Sequence, residues 1–157
     1  MASPNVRRFK SDLTARNFST IKRSLIAATT LTPARHAGTT CVLNLAAGFT
    51  VTLPAATGSG MKYRLINGIA GNAYIVAVTG NDTFVGGVFI NDVGDSAAAT
   101  ADFYRPASTD NKITMLTAAG GGAVGDFLEF EDIVADKWAV FGVFQTATDP
   151  ATPFSTV

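Results

Sequence analysis

Alternation with a period of two runs through most of this chain and restricts the fold more than any other feature. In Phe49-Thr50-Val51-Thr52-Leu53 the large apolar residues fall on one side and the threonines on the other, and Pro54 ends the run. Leu128 and Phe130 alternate in the same way against Glu129 and Glu131, and Tyr63 and Leu65 against Lys62 and Arg64. Cys41, Leu43 and Leu45 also share one side. Successive side chains of a strand point to opposite faces, so each segment reads as a strand with one buried face. Further strands are predicted over 73–78, 83–90, 101–105, 112–117, 126–133 and 137–144. The last two form a hairpin turning near Asp136, and Gly142 within the final strand marks a bulge or a close backbone approach. Polar or glycine-rich turns separate the strands, among them Gly58-Ser59-Gly60, Gly80-Asn81-Asp82, Gly86-Gly87, Asn91-Asp92 and Thr109-Asp110-Asn111. Short strands with turn signals about every ten residues give an all-β fold, a compact sandwich or barrel of the jelly-roll or tulip-like kind. No internal repeat of fixed period is visible.

Charge divides the chain. Residues 1–35 hold seven basic side chains against Asp12 alone, a net of +6, whereas residues 36–157 hold five basic against eleven acidic, a net of −6. The 157 residues fit one domain plus an appendage. The expected organisation is a basic N-terminal docking arm over 1–30, a β-rich body over 31–145 and an extended tail over 146–157. The tail carries Pro150 and Pro153, and Phe154 is placed to dock on the body or on a neighbour. In the arm, Leu13, Phe18, Ile21, Leu25 and Ile26 can line one face of a short helix with Ser11 as cap. An extended arm that orders on binding fits the same residues.

The arm is the segment with a functional claim. Arg7, Arg8, Lys10, Arg16, Lys22 and Arg23 are its candidate contacts, with Phe9 and Phe18 as apolar anchors. Such a segment can neutralise phosphates, but the acidic body is repelled by nucleic acid. A protein partner with an acidic surface is therefore expected, with complementary charge orienting the contact, and no nucleic acid.

The body offers little chemistry. Its single histidine, His36, reads as a solvent-exposed linker residue with no nucleophile beside it. One cysteine and one histidine do not make a zinc site, and the lone Cys41 reads as a buried apolar residue. Glu129 and Glu131 stand about 7 Å apart along one strand face, a spacing open to a hydrolytic pair. The commoner role is a solvated or subunit-facing one. Gly120 to Gly125 lacks the Lys-Ser/Thr of a phosphate loop. The aromatic residues mostly take buried positions and read as core. No apolar run reaches ~18 residues, and no secretory leader is expected. The expectation is a non-enzyme without catalytic residues, cofactor, metal, small-molecule substrate or membrane.

One stretch resembles a module of small tailed-phage virion structural proteins. It opens with Gly38-Thr39-Thr40, continues through Ala46-Ala47-Gly48-Phe49-Thr50-Val51-Thr52-Leu53-Pro54 and a glycine turn, and ends on the aromatic strand at Tyr63. The close of the body is similar too, with Gly125-Asp126-Phe127-Leu128-Glu129-Phe130-Glu131-Asp132 and then Lys137-Trp138-Ala139-Val140-Phe141-Gly142. The resemblance covers residues 31–144 and is to head decoration, or cement, proteins and to some fibre or tail proteins alike. It implies a compact β-domain that forms a homotrimer on the virion surface, made in the host cytoplasm, and it brings no catalytic residues. The expected function is capsid decoration, with the arm clamping the major capsid protein. The alternative is a tail or fibre component binding a host-surface glycan through Phe103-Tyr104-Arg105 or 84–89.

Overall fold

The computed structural model describes residues 21–70, 73–94, 100–116 and 120–157. They form two mixed β-sheets packed face to face, so the all-β sandwich expected from the alternation is the fold. The strands are β1 (Lys22–Leu25), β2 (Thr29–Thr30), β3 (Thr40–Leu43), β4 (Thr50–Thr52), β5 (Lys62–Asn67), β6 (Tyr74–Ala77), β7 (Thr83–Asp92), β8 (Ala101–Tyr104), β9 (Lys112–Met115), β10 (Phe127–Val134), β11 (Lys137–Thr146) and β12 (Phe154–Ser155). A single helical turn, α1 (Pro33–His36), precedes β3. One sheet has seven strands in the order β1-β3-β5-β10-β11-β7-β8, and the other has five in the order β12-β9-β6-β4-β2.

The first half of the body is wound as a coil. The chain alternates between sheets, so β1, β3 and β5 stack in parallel in one while β2, β4 and β6 stack in parallel in the other. Lys22 pairs with Thr40 and Thr40 with Arg64, which makes turns of 40 − 22 = 18 and 64 − 40 = 24 residues. Unequal turns leave no fixed period for a sequence to display. The described chain already enters the seven-stranded sheet at Lys22, within the stretch assigned to the arm.

The second half closes the sandwich. β10 and β11 form the expected hairpin, turning at Asp136 with φ 63°, a left-handed conformation that Asp tolerates. β11 then runs parallel to β7 over ten residue pairs. Gly86 and Gly87, read from sequence as a turn, lie inside β7 instead. Gly86 has φ +100°, and a Cβ there would stand 2.3 Å from the Val140 carbonyl oxygen. Only glycine lets the two backbones approach so closely. Gly142 is likewise a close approach, since a Cβ on it would stand 2.7 Å from the Phe127 carbonyl oxygen.

Between the sheets lie Trp138, Tyr63, Tyr74, Phe84, Phe130 and Phe144, all nearly or wholly buried. Tyr63 meets Trp138 edge to face at 5.6 Å, and Phe84 contacts Phe130 at 5.8 Å, geometries that favour aromatic pairs. The tail docks on its own body: Phe154 is buried in β12, against Phe84 at 6.5 Å. Burying a side chain of this class contributes about 1.5–3 kcal/mol.

Candidate docking surface

The seven-stranded sheet buries one face and leaves the other uncovered by any described element. Strand register sorts that outer face into rows running across the strands. The first row is Val42, Ile66, Phe127, Val143, Phe89 and Phe103, one residue from each of β3, β5, β10, β11, β7 and β8. Beside it runs Lys22, Thr40, Arg64, Glu129, Phe141 and Gly87, and beyond that Lys62, Glu131, Ala139 and Val85.

The first row is an apolar stripe. Phe89, Phe103 and Phe141 are 42%, 47% and 46% exposed, a large fraction for side chains of this size. Their rings form a chain: Phe103 to Phe89 at 4.8 Å, Phe89 to Phe141 at 6.4 Å and Phe141 to Phe127 at 6.3 Å. The Arg64 guanidinium lies over the Phe127 ring at 4.5 Å and extends the chain by a cation–π contact. Gly87 has a local purpose here. A Cβ on it would come within 2.4 Å of the Tyr104 carbonyl oxygen and 2.7 Å of the Phe103 ring, so the missing side chain makes room for both. From sequence Phe103 and the 84–89 stretch are the glycan-site candidates of the alternative reading, whereas Phe127 and Phe141 read as core. Parity could have separated them: Phe127 keeps step with Glu129 and Glu131, and Phe141 is out of step with Trp138 and Val140.

A groove of ≈350 Å³ opens at the charged end, lined in part by Thr40, Lys62, Arg64, Glu129, Glu131 and Phe141. Lys62 pairs with Glu131 at 3.1 Å, and Arg64 pairs with Glu129. Each carboxylate thus has its own cation, and the four charges cancel across one strand boundary. A general acid needs the opposite, a carboxyl kept protonated in apolar surroundings. Among the described residues no group of three or more His, Cys, Asp or Glu could hold a metal.

Three other titratable groups are structural. His36 is buried and not the exposed linker residue expected. Its Nδ1 accepts the Thr32 N–H at 2.9 Å across α1, and burial together with Arg23 and Arg35 lowers its pKa. Asp132, also buried, accepts from five donors: the N–H and hydroxyl of Thr57, the N–H of Gly58, and the N–H and hydroxyl of Ser59. Burial opposes its ionisation, but these bonds outweigh it and hold the carboxyl well below the usual range. Asp126 is pushed up to about 6 by burial, against bonds from the Ala123 and Gln145 N–H groups. Cys41 is fully buried, as expected, and burial raises its thiol pKa.

Of the arm residues, Arg7, Arg8, Phe9, Lys10, Arg16 and Phe18 lie outside the described residues. Lys22 and Arg23 sit on β1 at the sheet edge, on opposite sides. Lys22 is exposed in line with Thr40 and Arg64, while Arg23 pairs with inward-facing Cys41 and is half-buried. The glycan-site candidates divide as well: Phe103 and Phe89 are exposed, Phe84 is core, and the Tyr104 hydroxyl donates to the Pro150 carbonyl at 2.8 Å. Comparison with protein-family models, with curated proteins and with solved structures finds no match for this chain.

Proposed function

We propose that this protein is a capsid decoration protein of a tailed phage. It binds the outside of the head through its basic N-terminal residues and stabilises the lattice of the major capsid protein. The observation that carries the reading is the separation of charge from a body that presents surfaces and holds no reactive cluster among its described residues. Residues 1–20 hold four basic side chains and one acid, a net of +3, and residues 21–157 hold eight basic and eleven acidic, a net of −3. β1, the first described strand, is the edge strand of the seven-stranded sheet and carries Lys22 and Arg23 there. A contact made only on the assembled shell adds binding free energy to that state alone and shifts the equilibrium towards it. In a homotrimer several weak arms act together through effective concentration.

The test keeps β1 and β2 intact, because both belong to the body. Full-length protein with Arg7, Arg8, Lys10 and Arg16 changed to serine should lose capsid binding and keep its fold. Undiminished coating of capsids by that variant overturns the assignment.

A second reading, a tail or fibre component that binds a host glycan, is favoured by the exposed pair Phe89 and Phe103. Glycan-array binding that disappears in Phe103→Ala would select it.

A further inference from the structure

We propose that the apolar stripe across the seven-stranded sheet is the surface through which copies of this chain meet. This deepens the proposed role by naming the contact that joins the bodies. The stripe puts one apolar residue on each of six adjacent strands. At about 4.8 Å per strand its five steps span about 24 Å. With the two flanking rows it covers roughly 600 Å² of sheet, close to the ~800 Å² per partner of a stable protein interface. The apolar part of this face is the stripe with Phe141 beside it, and its exposed, adjoining phenylalanine rings mark an interaction site.

Charge selects the partner. Contact between two copies about a two-fold axis brings like surfaces together, so a charged flank repels itself. Here the charges on β5 and β10 beside the stripe cancel within one copy, because Lys62 is matched by Glu131 and Arg64 by Glu129. The four groups can also exchange partners with the same groups of a second copy. Lys22, at the β1 end of the row, stands outside these pairs, and next to the aromatic rings an acidic or basic partner meets only matched charges. The chain's own residues 1–20, with a net of +3, find no unpaired acid there either. The stripe runs across six adjacent strands, so two such surfaces can close along their length.

The experiment compares the mass of the full chain in solution by sedimentation equilibrium at micromolar concentration. The protein and a Thr52→Glu/Thr114→Glu control on the opposite sheet should be multimeric. Phe89→Glu/Phe141→Glu should be monomeric, with association weakened at least about tenfold. Fluorescence of buried Trp138 reports whether each variant is folded, and Phe103→Ser/Phe141→Ser replaces the double glutamate should that variant fail to fold. A monomeric protein, or a folded stripe variant that stays multimeric, overturns the inference. If the protein is monomeric and loss of residues 1–20 makes it multimeric, the chain's own N-terminal segment covers the stripe, which overturns it equally. Capsid binding by a monomer would leave the decoration reading standing, so the two can fail separately.

Discussion

The two sheets of this sandwich share one core but present different outer faces. On the five-stranded sheet, register lines up Thr30, Thr52, Ala77, Lys112 and Ser155, and next to them Thr50, Ile75 and Thr114. Apart from Ile75 these are small or polar side chains that keep a β-strand while leaving its surface wet. On the seven-stranded sheet the corresponding positions hold Phe127, Phe89, Phe103 and Phe141. Water tolerates the first face without cost. The second keeps apolar area exposed that no described segment covers, in a chain whose polar positions elsewhere are regular. The difference is what the proposed contact between copies rests on: one side suits solvent and the other suits a partner. It also explains a body without a reactive cluster among its described residues: the informative surface is flat.

The comparison breaks most severely if the apolar face loses its strand register. Gly86 sits where β7 and β11 nearly touch, at positive φ and against the Val140 carbonyl. Gly86→Val should destabilise by at least about 4 kcal/mol, since backbone strain adds to a clash with backbone. The matched change on the threonine face, Thr52→Val, should stay within ~0.5 kcal/mol. Urea denaturation measures both. Equal effects at the two sites would remove the claim that the close approach organises the aromatic face.

Next in size is the link between the sheets. The connection from β4 to β5 is pinned by Asp132 through Thr57, Gly58 and Ser59. Asp132→Ala removes the shared acceptor of the Thr57, Gly58 and Ser59 N–H groups and should cost about 1–3 kcal/mol in the same measurement. A loss below ~1 kcal/mol would show that water replaces the carboxylate and that the connection is not held by it.

Two buried carboxylates sharpen the comparison through pH. Asp126, just before Phe127 at the start of β10, is raised to about 6 in the folded protein against 3.8 when free. The folded state then binds more protons than the unfolded one between these values, so stability should fall as pH rises from about 4 to 6. At ~1.4 kcal/mol per pH unit the total is about 2–3 kcal/mol. Asp132 has the opposite sign. Its folded pKa is depressed, so its contribution is present above about pH 4 and is lost on further acidification. Thermal unfolding across pH should therefore show a maximum near pH 4–5, and Asp126→Asn should flatten the neutral side. His36, whose pKa burial lowers, works against this fall, so the decisive quantity is the difference between the protein and Asp126→Asn: identical pH profiles from about 5 to 7 would contradict the assignment for Asp126.

Much of the fold was legible because alternation marks strands wherever one face is buried. β5, β10 and β11 follow directly from Tyr63/Leu65, Leu128/Phe130 and Trp138/Val140, and the hairpin at Asp136 follows from its turn. The parallel winding of β1 to β6 was not legible, since pairing at distances of 18 and 24 residues leaves no local signal. β1 and β2 were hidden for another reason. Lys22–Leu25 is half charged and polar, and its strand character comes from lying beside β3. His36 misled because an isolated histidine between segments looks solvated, whereas Thr32 and the turn of α1 bury it. The aromatic stripe was missed because hydrophobicity alone sends phenylalanine inward. Only parity against neighbouring charges distinguishes Phe127 and Phe141 from Phe130 and Phe144.

The smallest expected effect is the most discriminating for the two faces. Lys62 and Glu131 form an ion pair whose side chains are 69% and 42% exposed. In a free body, a double-mutant cycle with Lys62→Ala and Glu131→Ala should give a coupling of at most about 0.5 kcal/mol, because exposed pairs are screened and entropically costly. If copies close over the stripe, the same pair loses water at its flank and its coupling should grow. Measuring the cycle in the natural chain and again in the Phe89→Glu/Phe141→Glu background isolates that change. A coupling that is larger in the natural chain and falls when the stripe is charged ties the ladder to the contact. Identical couplings in both backgrounds would leave Lys62 and Glu131 as solvated neighbours, and the aromatic face would then bind its partner without them.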